Sequence, residues 1–250
     1  MPSFKYKILT PGGNDTALVI GNTHLDVVQR RAVQETILQK HKNVEQVGFL
    51  GNDAHTPLLC MAGGEFCGNA VRAATWHYLD GQPGEIFIDV SGSSKKLHAG
   101  IGEDNHVWAQ MPVYESLENI MQVDDGLYWV QMEGISHLIV TQKPSHIYLD
   151  EVSRLADQNK GEFLLDIARS LLGKYELYGG MACGVMFLEN IIDMLKIHPC
   201  VFVTTISSAH YETACGSGSI ATALAVASIR KKSVTLPLLQ PSGVFCKMEM

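Results

Sequence analysis

Two cysteines of this 250-residue chain sit in nearly the same surroundings, GGEFCGNAVRA around Cys67 and YETACGSGSIATA around Cys215. Each follows a glutamate, Glu65 or Glu212, and precedes glycine and a helix-forming run. A helix N-terminus carries unpaired backbone N–H groups and the positive end of the helix dipole, so a cysteine placed there has its thiolate favoured. With an ordinary pKa of about 8.5, one such sulfur can serve as thiolate base while its partner stays a thiol acid. Two of them on opposite faces of an amino acid's α-carbon could remove the α-hydrogen from one side and return a proton from the other. The pair titrates as a coupled unit.

The carbanion formed in such a step needs its charge spread into the α-carboxylate. The backbone amides after each cysteine, at Gly68 and Asn69 and at Gly216 and Ser217, are the candidate donors of an oxyanion site. Glycines at 68, 216 and 218 let backbone approach a ligand closely. Glu65 and Glu212 could orient a thiol or bind an ammonium group; a carboxylate just before a helix also serves as a solvated N-terminal charge. For an arbitrary pair of cysteines, burial as small hydrophobes near helix starts would be the preferred reading. The matched glycines and glutamates reverse it.

Composition narrows the alternatives. The formal charge of −7, with 26 acidic against 19 basic residues scattered along the chain, argues against nucleic acid as a partner. No apolar run approaches the roughly 18 residues of a membrane span, and the N-terminus lacks a signal-peptide pattern, so a soluble, cytoplasmic protein is expected. Six cysteines without paired spacing fit reduced thiols, and ten histidines show no compact ligand spacing, so no metal is expected. CGSGS lacks the Lys-Ser or Lys-Thr of a phosphate loop. A cysteine protease needs one thiol and a histidine, which leaves a second matched thiol unexplained.

Elements able to hold these motifs follow from patterning. FKYKILT and TALVIG flank the turn PGGND as a hairpin. Val28, Ala32, Val33 and Ile37 recur at helical spacing between Leu25 and His41, before the strand VEQVGFLG. After Cys67 a mostly buried helix runs to a stop at Asp80 and Gly81, followed by strands GEIFIDVSG, KKLHAGIG and HVWAQMP. ESLENIMQVDDG, residues 115–126, is the candidate linker between a half at 1–118 carrying Cys67 and a half at 119–250 carrying Cys215. The second half reads as strands YWVQM and SHLIV, a helix near Glu162 to Leu172, and strands CGVMFLEN and CVFVTTIS. An apolar helix from Ser217 to Ile229 and a hairpin in VTLPLLQPSGVFCKM complete it. Each half is thus strands about one central helix.

Over most of its length the chain resembles the pyridoxal-phosphate-independent amino-acid racemases and epimerases of the diaminopimelate epimerase superfamily. The resemblance rests on PGGNDTALV, MAGGEFCGNA, DVSGSS, AQMP and ETACGSGS, while VEQVGFL with GEFCGNA is most similar to the histidine racemases associated with opine metallophore synthesis. It implies an α/β (α+β) fold of two pseudo-symmetric halves, each a curved, mainly antiparallel sheet around a central helix, with the active site in the cleft between them. It further implies a cofactor-free isomerase acting on a small amino acid, histidine first, with Cys67 and Cys215 as the two bases. The amides of Gly68, Asn69, Gly216 and Ser217 would hold the α-carboxylate. Asn14 matches the asparagine of the family's first hairpin turn, and His137 lies where the family has a histidine able to accept one thiol's proton. A homodimer is the assembly left open.

Two departures bear on substrate. Diaminopimelate epimerase has an adjacent Glu-Arg pair upstream of its second cysteine, where this chain has TTISSAHY, and an asparagine where this chain has Ile135. Loss of the charged clamp disfavours diaminopimelate. The second half is expected to be short, because relatives carry further strands after the hairpin that ends here at Met250. Diaminopimelate or another amino acid as substrate, a phenazine-type isomerase that uses a carboxylate, and a silent amino-acid-binding homologue are the competing readings.

Overall fold

A computed structural model describes residues 4–21, 24–53, 56–114, 116–192 and 194–249. The chain forms two compact units, Met1–Pro112 and Val113–Met250. Within the described residues no helix is long and apolar enough to cross a membrane.

In the first unit the order is β1 (Lys5–Leu9), β2 (Asp15–Ile20), α1 (Val27–Lys40), β3 (Val44–Asp53), β4 (Thr56–Met61), α2 (Gly68–Tyr78), β5 (Gly84–Val90), β6 (Leu97–Ile101) and β7 (Val107–Ala109). The seven strands lie side by side in chain order. Pairing is antiparallel for β1/β2, β3/β4, β5/β6 and β6/β7, and parallel for β2/β3 and β4/β5. Parallel neighbours need a crossover. Here α1 and α2 supply the two, and α2 packs against β2 through β7.

The second unit contains β8 (Ile120–Asp124), β9 (Leu127–Val130), β10 (Ser136–Val140), α3 (Gln142–Val152), α4 (Asp157–Lys174), β11 (Ala182–Ile191), β12 (Met194–Val203), β13 (Ser208–Tyr211), α5 (Gly216–Arg230), β14 (Thr235–Leu239) and β15 (Phe245–Glu249). Its sheet order is β15-β14-β12-β11-β10-β9-β8, with β13 paired to β12. From β9 onward the antiparallel and parallel pairings alternate as they do from β1: β9/β10, β11/β12 and β14/β15 antiparallel, β10/β11 and β12/β14 parallel. Helix α5 stands in the place of α2 and packs against β8 to β11, β14 and β15. The two units therefore repeat one topology, each a mainly antiparallel sheet around one buried helix.

Small side chains make that burial feasible. Ala70, Ala73 and Ala74 on α2, and Ala221, Ala223 and Ala225 on α5, are 0–2 % exposed, so the strands can close on the helix backbone. The outer face of the second sheet is covered differently, by α3 and α4 over Leu138, Val140, Val185, Phe187 and Cys200. Helix α1 carries less. Its capping box joins Asp26 and Gln29, but Val28 is 72 % exposed and only Gln34 and Ile37 are buried. The apolar spacing expected to seat α1 holds it at one turn rather than along a stripe.

Strands β4 and β13 have no counterpart in the sequence expectations, and three further elements depart from them. Part of the candidate linker is strand β8, because Met121 pairs with Trp129 across an antiparallel ladder. Helix α3 was not anticipated; it buries Ser145, Leu149 and Val152 on one face, with Pro144 in the first turn, where the missing N–H costs no hydrogen bond. Helix α4 starts at Asp157, ahead of the expected Glu162. The C-terminal hairpin is present as β14 and β15, joined to the sheet through β12.

Candidate functional site

Both cysteines are N-caps. Cys67 (φ −139°, ψ 109°) accepts from the amide of Ala70 at 3.4 Å, and Cys215 (φ −133°, ψ 108°) from the amide of Gly218 at 3.3 Å. Each sulfur thus fills the role a serine or aspartate oxygen has at an ordinary N-cap. Each cysteine's carbonyl accepts the first helical bond, from Val71 at 3.0 Å and Ser219 at 3.1 Å. The first two helical amides, Gly68 and Asn69 in one unit and Gly216 and Ser217 in the other, have no intrahelical acceptor by helix geometry. All four residues are buried.

The two sulfurs differ in their neighbours. The Cys67 thiol donates to Gln46 Oε1 at 3.0 Å. Gln46 did not figure among the expected site residues, although it lies in the VEQ run. The signal is a register irregularity: Asp15 pairs with Val44 but Thr16 pairs with Gln46, so Glu45 is skipped. A bulge re-aims the side chains around it. Glu45 then accepts from Asn14 Nδ2 at 2.6 Å, and Asn14 Oδ1 accepts from Thr16 at 3.2 Å. Asn14 is fully buried at the end of the first hairpin turn. Being an amide, Gln46 can present oxygen to a thiol or, flipped, N–H to a thiolate.

Cys215 is bound on several sides. Its sulfur lies 3.5 Å from Ser217 Oγ, which is 3.0 Å from His137 Nε2, and its thiol hydrogen-bonds the Glu212 carboxylate. Burial raises its pKa well above the ordinary value, the Glu212 charge raises it further, and Ser217 and the Gly218 amide oppose. The expectation that a helix N-terminus favours the thiolate is therefore overridden here by desolvation. Gln240, fully buried at the end of β14, accepts from the Cys215 amide at 3.0 Å and donates to Ser219 Oγ at 3.1 Å. The C-terminal hairpin thereby fixes the cap.

His137 hydrogen-bonds Ser217. Complete burial lowers its pKa to about 3, so it is a neutral imidazole at any ordinary pH. Glu65 and Glu212 are also unlike. Glu212 reaches the Cys215 thiol, and the Glu65 charge acts on Cys60. Glu65 accepts from its own amide and that of Gly63, while Oε2 has no hydrogen-bond partner. Asn69 Oδ1 accepts from Arg72 at 2.6 Å.

Burial raises the Glu65 pKa from 4.5 to about 7. A carboxylate whose folded pKa lies above its unfolded value favours folding fully only below the unfolded value, and loses that contribution as pH rises to the folded one. Glu65→Gln removes the charge and keeps the shape. Urea unfolding should show the variant gaining on the parent between about pH 4.5 and 7, by up to about 3 kcal/mol, and a flat difference above. A pH-independent difference would contradict this.

Among the described residues no three His, Cys, Asp or Glu side chains converge as a metal site, and all six cysteines are free. Burial raises the pKa of Cys183 to about 11 and pushes Cys200 higher still. Both belong to the core under α3 and α4.

The fold has known counterparts. Over 99 % of this chain and 91 % of the other, it is similar to a phenazine biosynthesis PhzC/PhzF protein of Clostridium difficile, with TM-score 0.53 and 14 % identity. A PhzF-family protein of Enterococcus faecalis aligns over 100 % of this chain and 92 % of its own, with TM-score 0.52 and 13 % identity. Among curated proteins, a histidine racemase of Fusobacterium nucleatum subsp. nucleatum is 31 % identical over 85 % of this chain and 77 % of its own length. A histidine racemase of Staphylococcus aureus strain Mu50 is 25 % identical over 84 % and 74 %. The family described as histidine racemase CntK N-terminal domain matches residues 3–249. Carrying the two capped cysteines within that match, the chain belongs to the histidine racemase family and is an isomerase of the racemase class.

Proposed function

We propose that this chain interconverts L- and D-histidine without a cofactor, using Cys67 and Cys215 as the two acid–base groups. The observation that carries the reading is the repeated half-site: in each unit a cysteine caps the central helix with the same backbone geometry, and two buried amides follow it. Histidine as the substrate is supported by the relatives named above.

In the proposed step a thiolate takes the α-proton from one face, and the electron pair left on carbon delocalises into the α-carboxylate. The helix N-terminal amides at Gly68, Asn69, Gly216 and Ser217 stabilise that charge. The opposite thiol protonates carbon from the other face, so the proton inventory balances with the two sulfurs' states exchanged. Cys215, raised by burial and by Glu212, suits the thiol role at the start of the step. Cys67 then acts as the base, with Gln46 able to bond either of its states. Asn14 contributes to the wall of the Cys67 half-site.

The test is α-hydrogen exchange in deuterium oxide, followed by proton NMR and chiral chromatography across a panel of L-amino acids and diaminopimelate. Histidine should lose its α-proton signal and gain its D-enantiomer with a kcat/KM at least tenfold above every other amino acid. Preferred exchange of another amino acid would overturn the substrate, and binding without exchange would overturn catalysis.

A further inference from the structure

The hydroxyl of Ser217 and the imidazole of His137 form a hydrogen-bonded line that ends on the Cys215 sulfur, at 3.0 Å and 3.5 Å. Both residues are buried, His137 completely. The direction of that line follows from the unpartnered end of the ring. His137 Nδ1 is buried with no hydrogen-bond partner, and an orphaned N–H is rarer in proteins than an orphaned acceptor. The proton therefore resides on Nε2, which donates to Ser217 Oγ. The hydroxyl hydrogen is left to point at sulfur.

Gly184 keeps the ring in this position. It pairs with His137 across β10 and β11, and a Cβ there would come within 2.6 Å of Nδ1 and 2.9 Å of the Cys200 carbonyl. A side chain on residue 184 would press against the bare nitrogen, so glycine there leaves the ring where it stands. The first unit is built the other way round, with Thr16 opposite Gln46 and Gln46 itself on the thiol.

We infer that Ser217 is a positioning residue whose hydroxyl, oriented by Nε2–H of His137, stabilises the Cys215 thiolate that forms during turnover. The inference rests on the two-thiol reading above and gives Ser217 a side-chain role in addition to its backbone amide. His137 is then a fixed donor, not an acceptor of the thiol's proton. Other groups face the same sulfur. The Glu212 carboxylate opposes the thiolate, with the Cys200 thiol beside that carboxylate; the Gly218 amide supports it. Met186 of β11 stands against Gly218, and Gln240 binds the Cys215 amide.

The readout is the alkylation rate of Cys215 by iodoacetamide, followed by peptide mass spectrometry at a fixed pH below the thiol's pKa. There the rate scales with the thiolate fraction. Ser217→Ala should slow it about tenfold, the effect of about one pKa unit. A merely loosened packing would instead speed it by opening access. His137→Leu should slow it about threefold, whereas His137→Gln, which keeps an N–H at a similar reach, should stay near the parent rate. An unchanged or faster rate in Ser217→Ala, or a faster one in His137→Leu, overturns the inference. Alkylation needs no turnover, so a chain inactive on every amino acid would still answer the question, and loss of racemisation with unchanged alkylation would separate the two failures.

Discussion

Cys67→Ser and Cys215→Ser should each reduce racemisation of the preferred amino acid by about a thousandfold or more, the range general acid–base groups contribute. Serine is the informative replacement because both cysteines are N-caps, and a hydroxyl accepts the Ala70 or Gly218 amide as well as sulfur does. Urea midpoints should therefore stay close to the parent's, within about 1 kcal/mol. What serine lacks is acidity: its proton is held too tightly to be exchanged with a carbon acid near neutral pH. Each variant should still wash solvent deuterium slowly into the one enantiomer whose α-hydrogen faces the remaining thiol, without inversion. Chiral chromatography and proton NMR on the same sample separate the two outcomes. Retention of more than a tenth of the racemisation rate in either variant would end the two-thiol mechanism.

Gly92→Ala is expected to be the most damaging substitution for stability, at about 3 kcal/mol. Gly92 has φ +76°, where a side chain is strained, and a Cβ built there lies 2.5 Å from the Phe66 amide nitrogen and 2.8 Å from the Glu65 carbonyl carbon. Those are backbone atoms of the segment leading into Cys67 and cannot swing aside. The same turn is fastened by Ser91, whose hydroxyl donates to the Glu65 carbonyl at 2.9 Å and accepts from the Met61 amide at 2.8 Å. Damage should therefore spread to the Cys67 cap. The urea midpoint should fall, with racemisation at a permissive temperature reduced at least tenfold. A variant of parental stability would show that the DVSGSS turn has room to shift.

Helix α2 and α5 were legible because their signals are local. Each begins at a cysteine followed by glycine, continues in alanine, and stops at a residue of positive φ: Asp80 with Gly81, and Lys231. Strands β1, β2, β3, β5 and β11 were legible for the same reason, being runs of apolar or β-branched residues bounded by turns. Strand β8 and helix α3 were hidden because their sequences, IMQVD and QKPSHIYLDEV, are polar enough to pass for loop. Pairing of Met121 with Trp129 across a short turn gives β8 its structure, and packing of Leu149 and Val152 into the core against β11, which is distant in sequence, gives α3 its own.

The sequence by itself determined the chemistry available here: two thiols at helix starts, glycines that leave the following backbone amides open to close approach, and a family pattern covering both units. Tertiary structure decided what surrounds each sulfur. Gln46 reaches Cys67 beside a bulge opposite Asp15 and Thr16, Gln240 reaches the Cys215 amide through the last hairpin, and the Glu212 charge acts on both Cys215 and Cys200. Capping is settled within four residues of chain. Hydrogen-bond partners and desolvation depend on which strands and turns arrive from elsewhere, and they set the proton's energy on each sulfur.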